Sequence, residues 1–140
     1  MTQEEKDLVL CDLCARLPYG VIGLYSWKNR EPYNRELTGC LFDELKSSWD
    51  STEDSQFSPY LRPLSSMTEE ELYEVQEILG KEAEIRDGFI SIIGSSINSF
   101  TYLELQAVFE WFNTYHFDYR GLIEKGLAIE VTEENNPYKD

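Results

Sequence analysis

Three Thr-x-x-Glu strings, running from Thr2 to Glu5, Thr68 to Glu71 and Thr101 to Glu104, constrain the fold of this chain more than any other feature. In each, the threonine hydroxyl can accept the backbone N–H three residues on, while the glutamate reaches back to the threonine's own N–H. Such a box marks a helix start, so three helices are expected to begin just after Thr2, Thr68 and Thr101. Met67 with Leu72, and Phe100 with Leu105, occupy the positions of hydrophobic staples that fix how the chain enters the second and third helices.

The first helix is bounded by Pro18 and gathers Leu10, Leu13, Cys14 and Leu17 on one face, with Arg16 in its last turn, where a cation suits the helix dipole. The second turns Leu72, Val75 and Leu79 inward and Glu70, Glu74 and Glu77 outward, and Gly80 stops it. In the third, Leu105, Val108, Phe109, Phe112 and Tyr115 make the expected buried face. Asp118 then caps a short fourth helix that Gly126 ends, giving a C-terminal helical hairpin that meets at His116.

Strand patterns occupy residues 19–27, 36–42 and 89–93, the first two joined by a polar, Pro-containing turn into an antiparallel hairpin. Residues 47–58 read as a long polar surface loop and 59–63 as extended chain held by Pro59 and Pro63. The expected class is α+β, a small antiparallel sheet packed by three to four helices. Residues 1–132 form one domain and 133–140 a flexible acidic tail, and 140 residues suffice for a core without disulfides or a structural metal.

Charge narrows the function classes. The chain has 27 acids and 12 bases, a net charge of 12 − 27 = −15, which repels nucleic-acid phosphates and anionic membrane surfaces, so direct nucleic-acid or membrane partners are not expected. Residues 43–84 hold twelve of the acids and three of the bases, a surface suited to a basic partner. The expected contact residues there are Asp43, Glu44, Asp50, Glu53, Asp54, Glu70, Glu74 and Glu77, with Trp49 and Phe57 as apolar anchors.

Asp12-Leu-Cys-Ala-Arg-Leu-Pro-Tyr-Gly-Val21, Pro59-Tyr-Leu-Arg-Pro-Leu-Ser-Ser-Met-Thr-Glu-Glu70 and His116-Phe-Asp-Tyr-Arg-Gly-Leu-Ile-Glu-Lys-Gly-Leu-Ala128 resemble three signatures of one group. These are small uncharacterised proteins encoded by phages and prophages of gut Bacteroides-type bacteria. The resemblance covers roughly a quarter of the chain, by the lengths of the helix-starting and C-terminal modules it includes. It brings no activity, cofactor or catalytic residue. A cytoplasmic location is expected from the acidic, polar start Met-Thr-Gln-Glu-Glu-Lys-Asp and from the odd, widely split cysteines Cys11, Cys14 and Cys40, and the resemblance makes that cytoplasm a bacterial host's.

The chain's own residues specify no reaction. Cys11-Asp-Leu-Cys14 has the spacing of a zinc or redox pair, but no second pair accompanies it and it falls within a helix, where Cys14 serves as a small buried hydrophobe. One histidine, His116, cannot make a site that needs two, and it stands where a helix C-terminus favours a cation. Asp118 is expected as a cap, Tyr119 as packing and Arg120 as an ion-pair partner of Glu124. No glycine-rich phosphate cradle is present. The expectation is a non-catalytic accessory protein without cofactor or metal that binds a host or phage protein with a basic surface, its carboxylates standing in for phosphates. The alternative is a structural protein that forms a homo-oligomer or virion contact.

Overall fold

The computed structural model describes residues 1–28, 30–51, 55–80, 83–86, 89–92 and 102–139, with backbone alone at 51, 83–86, 89–92 and 102. The chain divides into two compact units, Met1–Leu61 with Arg120–Asp140, and Arg62–Tyr119. The expected α+β class is found: the described residues form four α-helices, a five-stranded mixed sheet and a separate two-stranded ladder.

The discontinuous unit begins with α1 (Gln3–Arg16), whose capping box closes as expected, Glu5 N–H on Thr2 Oγ1 and Thr2 N–H on Glu5 Oε2. A 3-10 turn carrying Pro18 comes next, then β1 (Ile22–Trp27) and β2 (Tyr33–Glu36), which pair antiparallel, the partner strand lying mostly within the expected turn instead of at residues 36–42. The second strand expected at residues 36–42 is largely a helix instead, α2 (Gly39–Ser51). Thr38 caps it, with Oγ1 accepting from Leu41 N–H at 3.2 Å, and Leu41, Leu45 and Trp49 recur at helical spacing and are all buried. The expected loop at 47–58 is thereby divided between the end of α2 and the start of β3 (Ser55–Pro63).

Strand β1 also pairs antiparallel with β3, Leu24 opposite Ser58 and Trp27 opposite Ser55. Gly23 is required here: a Cβ on it would lie 2.4 Å from the Phe57 ring, which packs across the glycine. The core of this unit gathers Val9 and Leu13 of α1, Leu41, Leu45 and Trp49 of α2, Tyr25, Phe57 and Leu61 of the sheet, and Leu122 and Leu127 of the C-terminal segment.

In the continuous unit, α3 (Glu69–Leu79) has both arms of its capping box and ends at Gly80, as expected. β4 (Ala83–Arg86) pairs antiparallel with β5 (Phe89–Ile92), the latter close to the strand expected at 89–93. α4 (Tyr102–Thr114) starts where its box predicts, although Thr101 and the Phe100 of its staple lie outside the described residues. Val108 and Phe112 of α4 join Val75, Leu79 and Phe117 in this unit's core, with the indole of Trp111 stacked on Phe117 at 5.6 Å. Leu105, Phe109 and Tyr115, expected inside, are exposed.

The C-terminal helical hairpin is not found. His116 takes a left-handed φ of 63° and closes α4, after which β6 (Phe117–Asp118) pairs parallel with Arg62 and Pro63 of β3. Residues 122–126 form turns, with Leu127 N–H on the Leu122 carbonyl, because Gly121 and Gly126 both adopt left-handed φ and interrupt a segment too short to propagate a helix. β7 (Ile129–Glu130) then pairs parallel with Tyr60 and Leu61, making the sheet mixed rather than purely antiparallel.

The expected tail is fastened. Asn135 bonds Thr132 and the Glu130 carbonyl, and the Tyr138 hydroxyl accepts Ile22 N–H at 3.0 Å and donates to the Tyr60 carbonyl at 2.8 Å. It thus bridges β1 and β3 one residue beyond their last directly paired residues, Gly23 and Pro59. Burial pushes this phenol well above its usual range, against the opposing effects of Ile22 N–H and the Arg16 cation. Tyr138→Phe leaves Ile22 N–H and the Tyr60 carbonyl without that partner, and urea unfolding at neutral pH is expected to show a loss of about 1–3 kcal/mol. The folded phenol keeps its proton to higher pH than an unfolded one titrating near 10.0. Its contribution is therefore complete below that pH and is lost as pH rises beyond it, so the gap between wild type and Tyr138→Phe should narrow in alkali.

Candidate functional site

Each unit carries a buried or partly buried ion pair that holds a surface helix in place. In the discontinuous unit, Asp12 and Arg16 lie one helical turn apart on α1 and neither is exposed. Arg16 Nε donates to Asp12 Oδ2 at 2.7 Å, and Arg120 Nη1 donates to Asp12 Oδ1 at 2.8 Å across 108 residues of sequence. The buried face of α1 is consequently Val9, Asp12, Leu13 and Arg16, while Cys14, expected on it, is exposed. Arg120 was expected to pair with Glu124; the carboxylate of Asp12 takes it instead. A buried carboxylate must be compensated, and two guanidinium groups do so here.

In the continuous unit, Arg62 makes a bidentate pair with Glu71, both contacts at 2.7 Å, and its guanidinium lies 4.1 Å above the Phe117 ring. Glu71 Oε1 also accepts Thr68 N–H, so one carboxylate closes the capping box and fixes the first turn of α3 to β3. Burial raises the Glu71 pKa, but the hydrogen bonds from Arg62 and Thr68 outweigh it and hold the group below its ordinary value.

The Arg62–Glu71 clamp orients α3, one of the two helices that carry the expected contact residues. Asp43, Glu44 and Asp50 are exposed on α2, and Glu70, Glu74 and Glu77 are exposed on α3. Glu53 and Asp54 lie outside the described residues. The two aromatic anchors are displaced from the surface: Trp49 is 3% exposed and Phe57 4%, both within the core. The helical spacing of Trp49 with Leu41 and Leu45 sends it inward, and Trp49 Nε1–H donates to the Ser55 carbonyl at 2.7 Å. Glu74 is partly committed as well, accepting Trp111 Nε1–H at 2.9 Å.

The aromatic that the sequence reading passes over is Tyr73, 66% exposed on α3. On a helix its side chain lies between those of Glu69, Glu70 and Glu77, at three- and four-residue spacings. Its signal in the sequence is a tyrosine inside the glutamate stripe. A second exposed surface, on α4, is apolar: Leu103 is 75% exposed, and Leu105, Phe109 and Tyr115 are exposed with it. Asp118 is buried in β6, and the Tyr119 hydroxyl donates to Asn113.

Cys11, Cys14 and Cys40 are free and exposed, and no group of three or more potential metal ligands occurs among the described residues. No helix among them is long and apolar enough to cross a membrane. Asp12→Asn removes the charge that compensates the buried Arg16; chemical denaturation is expected to register a loss of about 3–5 kcal/mol, with a smaller loss for Arg120→Ala, whose side chain is partly solvated. No family model, curated protein or solved structure matches the chain.

Proposed function

We propose that the protein is a non-catalytic accessory protein that binds another protein through the acidic outer face of α3. The observation that carries this reading is Tyr73, the most exposed aromatic side chain among the described residues, set among Glu69, Glu70 and Glu77. An amphipathic ring surrounded by carboxylates matches a partner that presents an apolar notch within a basic surface. The chain's net charge of −15 steers such a partner from a distance. The exposed Asp43, Glu44 and Asp50 of α2 add to that field.

A partner that normally grips nucleic acid has such a surface, and the glutamates then occupy phosphate positions. The resemblance to small phage-encoded proteins supports this form, with a host defence or DNA-handling protein as the target in the bacterial cytoplasm. Affinity capture from the bacterial host, followed by titration of the isolated partner, tests it. Binding is expected to weaken steeply as salt rises through the range where the Debye length falls below about 8 Å. Tyr73→Ala should weaken it about tenfold, as truncation of an interface aromatic commonly does. An affinity indifferent to salt and to Tyr73→Ala overturns the reading.

A second reading rests on α4, whose exposed Leu103, Leu105, Phe109 and Tyr115 suit a homo-oligomer or virion contact. Light scattering is then expected to show a concentration-dependent dimer or larger species that Phe109→Glu returns to monomer; a strict monomer at all concentrations excludes the self-associating form.

A further inference from the structure

The sheet ends at β2, and that edge is open. The strand order β2, β1, β3 leaves Tyr33–Glu36 a partner on one side only. Leu37 N–H donates to the Val21 carbonyl at 2.9 Å, and Arg35 and Tyr33 stand opposite Gly23 and Tyr25. Backbone groups alternate sides along an antiparallel strand, so those of Tyr33 and Arg35 turn to β1 and those of Asn34 and Glu36 turn outward. Asn34 and Glu36 are both exposed. Pro32, next in the outward series, has no N–H to offer and closes the edge at its hairpin end. An edge of this kind is a template for one short extended segment.

The side chains beside the edge select which segment fits. Residues 27–36 hold three bases, Lys28, Arg30 and Arg35, against two acids, Glu31 and Glu36, a local 3 − 2 = +1 in a chain of −15. None of the three bases has an ion-pair partner among the described residues. Lys28 takes a left-handed φ of 56°, and Arg30 N–H donates to the Trp27 carbonyl at 3.2 Å. This turn sets both cations against the Trp27 ring, at 4.7 and 5.2 Å from its centre. The Arg35 guanidinium lies 5.5 Å from the centre of the Tyr25 ring, and Tyr33 meets the same ring edge-on at 5.7 Å, so Tyr33 and Arg35 share one face of the sheet. Trp27 is 39% exposed and Tyr33 53%. At physiological salt, fields decay within about 8 Å, so a segment laid on β2 meets this local charge more than the net charge of the chain. A second copy fits less well, because it approaches as a whole body, −15 against −15.

We propose that β2 takes up an extended segment of a partner protein as an added antiparallel strand, with a carboxylate opposite Arg35 and, next on the same face, an aromatic or β-branched residue opposite Tyr33. The residue between them exchanges backbone hydrogen bonds with Asn34, and the opposite charges across the strands hold the register. This surface does not depend on the acidic face of α3.

A blocked peptide, Lys-Glu-Thr-Tyr-Thr-Glu, titrated into the unmodified ¹⁵N-labelled chain tests it. Saturable shifts are expected at the Asn34 and Glu36 amides. Methylating the backbone nitrogen of the first threonine, which faces Asn34, should weaken binding about tenfold, whereas methylating that of the preceding glutamate, which points to solvent, should cost far less. Exchanging both glutamates for lysine should weaken binding about tenfold, and Arg35→Glu should reverse that preference. The altered peptides need no change in the protein, so the outcome does not hang on a variant folding. No saturable shift at these amides, equal weakening by the two methylations, or the lysine peptide binding as well as the glutamate one would each overturn the proposal. So would shifts at Asn34 and Glu36 that grow with protein concentration alone, the sign of a second copy on the edge.

Discussion

Every strand must find partners for its backbone groups, and β3 meets that requirement by changing partner along its length. Residues 55–59 pair with β1, Tyr60 and Leu61 with β7, and Arg62 and Pro63 with β6. The first partner is antiparallel and the other two are parallel, so a single nine-residue strand sets both senses of the sheet. Pro59 is accommodated by the alternation of an antiparallel ladder. Because Ile22 directs its N–H and carbonyl to the Tyr138 hydroxyl on the β3 side, the next residue, Gly23, turns its own toward β2. The opposing Pro59 therefore owes β1 no donor.

Electrostatics supplies each unit with a fixed point rather than with bulk stability. A buried carboxylate paired with guanidinium groups roughly balances its own desolvation, and its value lies in the geometry it enforces. Asp12 accepts from both guanidiniums only when α1 and Arg120 are in register, and Glu71 closes its capping box in the same geometry that meets Arg62. The surface glutamates beyond Glu71 inherit their positions from this one. In a chain so acidic, using bases inside the fold leaves the outer face of α3 to the carboxylates.

The helix starts at Thr2 and Thr68 are legible in the sequence because capping is local chemistry, complete within four residues. The α+β class rests on the same signals. The assignment of faces is harder to read. Charged residues are usually solvated, so Asp12 and Arg16 look like surface positions, and only their mutual spacing hints at burial. Polar neighbours hide α2 and make Trp49 resemble a loop residue, although Leu41, Leu45 and Trp49 keep a four-residue period. Leu105, Phe109 and Tyr115 show the converse: apolar character permits burial without requiring it, and these three stay at the surface. Within the expected contact surface, the exposure of the α3 glutamates is legible from their helical stripe. The burial of Trp49 and Phe57 depends on packing that no local pattern reports.

The unit formed by Met1–Leu61 and Arg120–Asp140 is interrupted by the whole of the other. During synthesis the segment up to Leu61 emerges with β3 lacking β7, and with the Asp12 carboxylate lacking Arg120. The inserted unit, Arg62–Tyr119, is contiguous and has all of its chain available first. The usual order, in which an N-terminal portion matures before a C-terminal one, is thus reversed. Residues 1–61 of the discontinuous unit are therefore made long before Arg120–Asp140, the segment that supplies their remaining partners, Tyr138 between β1 and β3 among them.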